Sequence, residues 1–472
     1  MSNEIQKLPL KEKIGYGFGD LASVLFWQTI MVYLLYFYTD VFGLTAKAAG
    51  VMFIVSRLSD AFFDVVIGMM ADRTKSRWGK FRPYILWGAV PLAVSAVLAF
   101  STPGFGETGK LIYAYVTFIS FMFLYSTVNI PYTALLGVIS GDPVERADAA
   151  TSKFIGAFSA GIIVSATALP LAKYFGEGND AKGWHMTMMI YAAAAVVFLL
   201  VTFLSAHERV QPIAKEKTEV SRDLGDIVHN VPWILLFIVT ILFILFVCIR
   251  LNVTTHYFKY YVGEQNVTLF GTTHKYGFEV LASAFNTVGQ VLSLVGTALV
   301  PLFARVLGRK KATIILFLTS LVCTGAFYFF KPEDLVLIFV FQAIGSLAGG
   351  PISALFWIMY ADTADYSEWK TGRRATGLVF SASIMSNKIG WAVGSMVAAF
   401  ILAQTGFVAN VAQHINVLTG LKAMMSLIPV AVGAVALILL VFFYKLDEGT
   451  MAKIKTELDA RRKAGEQAAL TA

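Results

Sequence analysis

The sequence predicts an all-α membrane protein with twelve transmembrane helices in two six-helix bundles. The chain is 57% hydrophobic and only 14% charged, with a mean hydropathy of +0.68, whereas about 25% of the residues in a soluble domain are charged. Apolar windows long enough to cross a bilayer recur twelve times. Positive charges gather between alternate windows. These three observations argue against a soluble globular protein.

The twelve windows fall into two sets of six, which the polar stretch 207–230 separates. They lie near 20–42, 47–71, 83–101, 111–138, 153–173 and 185–206, and then near 231–257, 279–304, 312–330, 335–361, 375–403 and 420–444. We therefore predict four regions: an N-terminal bundle (1–206), a cytoplasmic linker (207–230), a C-terminal bundle (231–444) and a cytoplasmic tail (445–472).

The lysines and arginines predict the orientation of this layout. With both termini in the cytoplasm, 27 of the 38 basic residues lie in cytoplasmic segments and eight in outer loops. The other three, Arg57, Arg250 and Lys388, lie inside spans. Cytoplasmic loops carry the excess of Lys and Arg in membrane proteins. The net charge of +8 therefore sets topology and does not indicate a nucleic-acid partner.

Two acids in the second window are candidates for a coupling site. Asp60 lies about 18 Å into the span, near the middle of the bilayer, at 1.5 Å per helical residue. Asp64 follows four residues later, so both carboxylates share one helix face, with Arg57 beside them. Buried carboxylates at this depth are typical of cation or proton sites. The alternative, an Arg57–Asp60 ion pair that only joins helices, leaves Asp64 unexplained.

Polar and aromatic side chains inside the spans predict a site for a sugar. Hydroxyl groups need donors and acceptors, and aromatic rings pack on the C–H face of a pyranose. The candidates are Asp20, Asn129, Thr133, Arg250, Trp357 and Lys388. Hydroxyl groups such as that of Thr133 could instead only bond across helices, and Arg250 could extend to the membrane interface. Lys388 needs an anionic partner, for which the acids of the second window are candidates.

Charged residues after the second and tenth windows are candidates for a cytoplasmic gate. They are Asp72, Arg73 and Arg77, and then Asp362, Asp365 and Arg373. Ion pairs between such loops would hold that side shut and break when the bundles rock. The alternative is that these residues form solvated loops that only set topology.

Five motifs in order resemble the glycoside–pentoside–hexuronide:cation symporter family, which has the major facilitator fold. The motifs are KEKIGYGFGD (11–20), YFYTDVFGL (36–44), RLSDAFFD with DRTKSRWGKFRP (57–64 and 72–83), VNIPYTALLGVISGDPVER (128–146) and ADTADYSEWKTGRRATG (361–377). Nearly the whole chain is covered. The KEKIGYGFGD motif, the VNIPY stretch and the region of Arg250 most resemble the bacterial xyloside permeases of this family, and next the glucuronide permeases.

The resemblance implies roles for individual residues. It places the cation site on Asp60 and Asp64, with the hydroxyl of Ser126, and makes the two acids candidate Na⁺ ligands. It places sugar contacts on the first, fourth, fifth, tenth and eleventh helices. Those contacts correspond to Asp20, Asn129, Thr133, Lys153, Trp357 and Lys388.

Four positions depart from the family's melibiose-transporting pattern. Phe63 replaces an asparagine that binds sodium there, and Val24 stands where a helix I acid contacts the sugar, so Asp20 is a substitute. Asn129 replaces an acid and Lys153 replaces an arginine. The departures argue against melibiose as the substrate. They also argue against sodium as the coupling ion, because Phe63 removes a sodium ligand, whereas a proton needs only one buried carboxylate.

We therefore expect cation-coupled import of a xyloside or related pentoside by alternating access. Hexuronides, glucuronides and galactosides are the alternative substrates. A membrane enzyme would need a catalytic cluster, and a channel a continuous polar stripe, so both are disfavoured. The expected partners are a sugar, a coupling H⁺ or Na⁺ and membrane lipid, with no other cofactor. The expected location is the bacterial inner membrane, with both termini inside.

Overall fold

The computed structural model describes residues 7–210, 230–269, 272–372 and 376–471. Long helices make up the first half of the chain. They are α1 (Leu10–Tyr36, continued by a π-helix over Phe37–Val41), α2 (Ala46–Arg73), α3 (Arg82–Ala99), α4 (Glu107–Val138), α5 (Pro143–Gly176) and α6 (Asp180–Ser205).

The second half adds further helices and a two-stranded hairpin. These elements are α7 (Val231–His256, continued by a π-helix over Tyr257–Val262), β1 (Gln265–Leu269), β2 (Thr272–Tyr276), α8 (Phe278–Ala298), α9 (Val300–Leu307), α10 (Arg309–Ala326), α11 (Leu335–Thr371), α12 (Thr376–Gln404), α13 (Ile415–Met425), α14 (Leu427–Ile438, continued by a π-helix over Leu439–Phe443) and α15 (Glu448–Thr471).

A helix lies at each of the twelve predicted windows. In the part of the chain that the structure describes, ten helical segments are long and apolar enough to cross a membrane. The second and ninth windows have no segment among these ten, and they are occupied by α2 and α10. α2 carries Arg57, Asp60 and Asp64 in its middle. The charges that lower the apolar character of α2 are those that make it a candidate functional helix.

Capping side chains define where several helices begin. Thr45 accepts a hydrogen bond from the backbone N–H of Ala48 at 3.3 Å, which satisfies a donor in the first turn of α2. Asp142 does the same for Val144 at 2.9 Å at the start of α5. These caps set the register of α2 and α5, and both helices carry candidate site residues.

The antiparallel β-hairpin between α7 and α8 was not predicted from the sequence. β1 pairs with β2 in a register that places Gln265 opposite Tyr276 and Leu269 opposite Thr272. Threonine and valine favour extended structure, but five-residue strands carry a weak periodic signal beside long apolar helices. Hydropathy alone therefore shows only a connection between two spans here.

The chain divides into two compact units. The first contains the described residues of Met1–Ala214, Leu251–Gln290 and Ser395–Leu421, and the second those of Lys215–Arg250, Val291–Gly394 and Lys422–Ala472. The boundaries therefore cut through α7, α8, α12 and α13. The predicted division at 207–230 differs from this contact-based one and stays a prediction.

Each unit has an aromatic core of its own. In the first unit, the buried ring of Trp184 stacks on Phe100 with centroids 5.6 Å apart and packs against Tyr33 at 5.4 Å. In the second unit, the ring of Phe243 makes edge-to-face contacts with Phe317 and Phe356, each at 5.4 Å. Such pairs stabilise the packing beyond the area they bury.

Two glycines bring the backbones of α1 and α5 into direct contact. A Cβ atom on Gly17 would lie 2.6 Å from the carbonyl oxygen of Ser152, and one on Gly156 would lie 2.2 Å from the carbonyl oxygen of Gly17. Only glycine allows this approach, which is a common way for membrane helices to pack. Asp20 of α1 and Lys153 of α5 each lie three residues from these glycines, so the close contact positions both of them.

Candidate cation and substrate sites

The carboxylates of Asp60 and Asp64 converge on one hydroxyl group. The Ser126 Oγ atom of α4 lies 3.0 Å from Asp60 Oδ1 and 2.8 Å from Asp64 Oδ1. Asp60 and Ser126 are buried, with 3% and 2% of their surface exposed. The structure thus brings together the three residues predicted for cation coupling.

An aromatic contact occupies the position next to these acids. Phe63 makes an edge-to-face contact with Phe123 of α4, with ring centroids 5.1 Å apart. A phenyl ring offers no oxygen ligand. At this position the sodium-binding pattern has the carboxamide of an asparagine. Here the Phe63 ring instead packs α2 against α4.

A stack of three side chains connects α2, α1 and α4 beside the acids. The Arg57 guanidinium lies 4.6 Å from the ring centroid of Trp27, a cation–π distance. Trp27 in turn stacks on Tyr125, at 5.3 Å and an angle of 28°. The Tyr125 hydroxyl accepts a hydrogen bond from Asn129 Nδ2 at 2.8 Å. The buried arginine is thus connected through two rings to a predicted sugar-contact residue.

The predicted sugar contacts of the first unit form one polar cluster. The Thr133 hydroxyl donates to Asn129 Oδ1 at 3.2 Å, and the Lys153 ammonium lies 3.5 Å from Thr133 Oγ1. Lys153 Nζ also lies 4.0 Å from Asp20 Oδ1. The structure therefore brings together the four candidates on α1, α4 and α5, and the charge of Lys153 is offset by that of Asp20.

The cluster rests on a reciprocal contact between two tyrosines. Tyr16 donates to the backbone oxygen of Tyr132 at 3.2 Å, and Tyr132 donates to that of Tyr16 at 2.8 Å. Their rings stack with centroids 4.8 Å apart. The Lys153 ammonium lies 5.4 Å from the Tyr132 ring. Tyr16 lies in the KEKIGYGFGD motif but was not among the predicted site residues.

Trp357 borders a small cavity of the second unit. The cavity holds about 10 Å³, room for one water-sized group, and its polar lining includes Thr240, Ser353 and Asn387. Trp357 is 38% exposed, and its ring lies against that of Tyr360, with centroids 6.0 Å apart. Lys388 follows Asn387 on α12 and is half-buried. Thr240 and Ser353 were missed because isolated hydroxyl residues in apolar helices are common.

Arg250 lies in a polar cage of its own in the second unit. Its guanidinium donates to Thr324 Oγ1 and to Gln342 Oε1, each at 3.1 Å, and lies 5.0 Å from the Phe327 ring. These partners lie on α10, on α11 and just after α10. The contacts fit a role in joining helices at least as well as the predicted sugar contact.

The candidate gate residues of the first unit lie on its surface. Asp72, Arg73 and Arg77 are exposed. Arg77 stacks on the neighbouring Trp78 ring at 4.2 Å. The predicted gate role stays a prediction for these three residues.

The candidate gate residues of the second unit include one buried ion pair. Asp362 is buried and accepts a charge-assisted hydrogen bond at 2.5 Å from Arg309 of α10. The backbone N–H of Arg309 bonds to Glu448 at the start of α15. Asp365 is half-buried, and Arg373 lies outside the described residues. Asp362 therefore joins three helices of its own unit.

Three glutamates make charged contacts with distant segments, and none of them was among the predicted site residues. Glu12 makes a two-pronged contact with Arg209 at 2.5 and 2.7 Å, which raises the pKa of Arg209. Glu208 accepts backbone N–H groups of residues 80–82 at 2.7–3.1 Å. Glu145 pairs with Lys13 at 2.8 Å. Such partners lie far apart in sequence, so spacing gives no signal for them.

Comparison with known proteins adds the biological context. Residues 15–448 match the family described as MFS/sugar transport protein. The chain is similar to the isoprimeverose transporter of Lactiplantibacillus pentosus, with 35% identity over 93% of this chain and 90% of the relative. It is also similar to the inner membrane symporter YicJ of Escherichia coli (33%, covering 97% and 96%). The glucuronide carrier protein homolog of Escherichia coli is 30% identical, covering 98% of each chain.

A solved structure shares the fold. The nucleoside transporter NupG superposes with a TM-score of 0.62, covering 92% of this chain and 100% of its own, at 15% identity. At that identity the likeness concerns the fold alone.

Proposed function

The chain belongs to the MFS/sugar transport family, and on that premise we propose that it imports a neutral glycoside together with a proton. The predicted fold class, an all-α membrane protein of the major facilitator type, is confirmed by the family match and by the likeness to NupG. The protein is a multi-pass membrane transporter and not an enzyme. The substrate and the coupling ion are the parts of this proposal that go beyond the family match.

The observation that carries the proposal is the contact of Ser126 with both acids. A hydroxyl group has one hydrogen, so Ser126 can donate to only one of the two carboxylates that lie within 3.0 Å. A proton on the other carboxyl would complete the chain, with that acid donating to Ser126 and Ser126 donating to its neighbour. Both distances suit O–H···O hydrogen bonds.

Sodium is a poorer fit to the same residues. Hard cations prefer several oxygen ligands. Asp60, Asp64 and Ser126 supply oxygens from three side chains, but the Phe63 ring packs on Phe123 where a further oxygen ligand would be needed. We therefore propose that the coupling ion is H⁺, held by Asp60 or Asp64.

The neutral pair formed by Lys153 and Asp20 supports a neutral glycoside. A cation whose charge is already offset at 4.0 Å attracts an anionic sugar less strongly than an uncompensated one. Asn129 and Thr133 add amide and hydroxyl groups that suit sugar hydroxyls. A small pentose-containing glycoside is proposed because a similar protein is named for isoprimeverose transport.

A continuous set of contacts connects the two sites. Ser126, which touches the acids, directly follows Tyr125, whose hydroxyl holds Asn129. Tyr125 also stacks on Trp27 under Arg57. We propose that protonation of the acid pair changes the hydrogen bond of Ser126 and so the position of Tyr125 and Asn129. Such a contact chain is a physical route for coupling, which a mutation at Tyr125 can test.

The substrate proposal is tested by calorimetric titration of the purified protein with a methyl xyloside and with a glucuronide. We expect the xyloside to bind in the micromolar to millimolar range usual for small ligands. The variant Asn129→Leu should lose that binding. The matched control Thr319→Ala should keep it, because the Thr319 hydroxyl bonds to the backbone of its own helix, α10, at 2.9 Å. Absence of xyloside binding to a folded protein would overturn the substrate class.

A hexuronide is the second candidate substrate. The likeness to a glucuronide carrier protein homolog favours it, and so do the basic residues Lys153 and Lys388 among the candidate contacts. Tight glucuronide binding that Lys388→Gln abolishes and the surface variant Lys331→Gln retains would select this candidate. Xyloside competition for uptake would reject it.

A further inference from the structure

Six polar residues, which we call the Asp40 cluster, join the C-terminal end of α1 to the C-terminal end of α7. They are Thr39, Asp40, His256, Lys259, Tyr260 and Asn410. Asp40 Oδ1 accepts hydrogen bonds from Lys259 Nζ, at 2.8 Å, and from the Tyr260 hydroxyl. Asp40 Oδ2 lies 3.2 Å from His256 Nε2 and 2.7 Å from the Thr39 hydroxyl. Both carboxylate oxygens therefore have partners on α7 or its π-helical end.

Asn410, in the loop after α12, closes the cluster from a third direction. Its side-chain amide donates to the backbone oxygen of Asp40 at 2.7 Å and accepts from Lys259 Nζ at 2.7 Å. Its backbone N–H donates to the Tyr260 hydroxyl at 2.8 Å. Three segments that are distant in sequence therefore meet around Asp40.

The centre of the cluster, Asp40 with His256, is buried, whereas Lys259 and Tyr260 are half-buried. The side chains of Asp40 and His256 are 0% exposed. The Lys259 ammonium is surrounded by the rings of Tyr36, Tyr260 and Phe278, at 5.1, 5.2 and 5.9 Å. Removing one partner of a buried ion pair leaves an uncompensated charge, which is far costlier than losing an exposed pair.

Both helices change geometry where they enter the cluster. Phe37–Val41 and Tyr257–Val262 are π-helices, in which each turn is wider by one residue. Turns of this kind are rare and frequent at functional sites. Here they place the Asp40 carboxylate and the Lys259 ammonium in contact.

We propose that the Asp40 cluster is the contact that keeps the extracellular gate closed. This inference rests on the proposed function, and on the predicted division that places α1 in one bundle and α7 and α12 in the other. Alternating access requires the two bundles to separate at one end while they close at the other. Separation at this end would strip Asp40 of Lys259, Tyr260 and His256 together, so the cluster sets the free energy of outward opening.

A second ion pair provides a matched control. Lys173 of α5 and Glu279 of α8 lie 3.0 Å apart, but the Lys173 side chain is 55% exposed. Exposed pairs contribute little. Loss of the Lys173 charge should therefore leave the gate nearly unchanged.

The experiment measures access to a buried reporter. Asn286 is 8% exposed and lies on α8 about 12 Å deeper than Phe278, at 1.5 Å per residue. The reporter Asn286→Cys is introduced into a chain with Cys248→Ser and Cys323→Ser, and right-side-out vesicles are treated with an impermeant maleimide. Lys331→Cys, in a predicted outer loop, confirms that the reagent reaches the outer face. Labelling needs no substrate, so this test is independent of which sugar is carried.

We expect Asp40→Asn to raise the initial labelling rate about tenfold or more, because the open state becomes more populated. Lys173→Gln should change it by less than about twofold. If Asp40→Asn fails to fold, as judged by size-exclusion chromatography, Tyr260→Phe removes only one hydrogen bond and should change the rate in the same direction. Equal rates for the parent and the folded variant would overturn the proposal. So would an increase seen only in inside-out vesicles.

Discussion

The Ser126 hydroxyl lies 2.8 Å from the Asp64 carboxylate. The two residues are far apart in sequence and meet where α2 packs on α4. Asp60 approaches the same oxygen at 3.0 Å. Two acids that share one hydroxyl inside a membrane span can exchange a proton through it, and this geometry yields the first predictions.

Neutralising either Asp60 or Asp64 should abolish uphill accumulation of the sugar without abolishing sugar exchange. Asp60→Asn and Asp64→Asn remove a proton carrier but preserve side-chain volume, so uphill accumulation of the sugar should stop while some sugar exchange continues. The measurements are labelled-sugar uptake against a gradient and counterflow in vesicles. Glu333→Gln, which changes an exposed acid in the loop before α11, is the control and should keep both activities. A variant that accumulates sugar normally would exclude its acid from coupling.

Substitutions at Ser126 should show whether coupled uptake depends on the hydroxyl group or only on the volume of the side chain. Ser126→Ala leaves one buried acid without this hydrogen bond, which typically costs about 1–3 kcal/mol. We expect at least a tenfold loss of coupled uptake, and Ser126→Thr should restore most of it. Uptake by the alanine variant that equals that of the parent would contradict a role for the hydroxyl.

The contact of α1 with α5 should depend on Gly17. A Cβ at this position would lie 2.6 Å from a backbone oxygen, so Gly17→Ala forces the helices apart and should lower the melting temperature by about 3 °C or more. It should also weaken sugar binding, because Asp20 and Lys153 are positioned by the same contact. Gly68→Ala is the matched control, since no atom lies within 4 Å of its Cβ position. Equal melting temperatures for the two variants would show that the contact tolerates a methyl group.

Much of the fold was predictable because its signals are local. Long apolar runs identify spans, and the four-residue spacing of Asp60 and Asp64 places both on one face of α2. Ser126 came from a family resemblance, because one serine in an apolar helix carries no signal of its own. The structure brings it to the acids, while its role in coupling stays a prediction.

The contacts that sequence reasoning missed are those between distant residues. The α1–α5 approach depends on Gly17 and Gly156, and nothing in the sequence separates these from glycines with open space around them. Asp40 was not singled out, because it lies at a helix end where a charged residue is ordinary. Its burial depends on Lys259 and Tyr260, more than 200 residues away. Which charged residues at helix ends become buried depends on tertiary packing alone.

Topology gives a separate prediction. The bias of 27 basic residues against eight places Lys217 in a cytoplasmic linker. In right-side-out vesicles of a chain without native cysteines, Lys217→Cys should resist an impermeant maleimide, while Lys331→Cys should react. Rapid labelling at position 217 would reverse the proposed orientation.

Proton coupling through the acid pair is tested directly by driving uptake with a pH gradient alone. Vesicles that contain the protein are given an alkaline interior in sodium-free buffer, and uptake of a labelled xyloside is followed. We predict accumulation above the external concentration that a protonophore abolishes and that Asp64→Asn prevents, because a carboxyl of the pair must carry the proton. Accumulation that requires added sodium and is unaffected by the protonophore would contradict proton coupling through Asp60, Asp64 and Ser126.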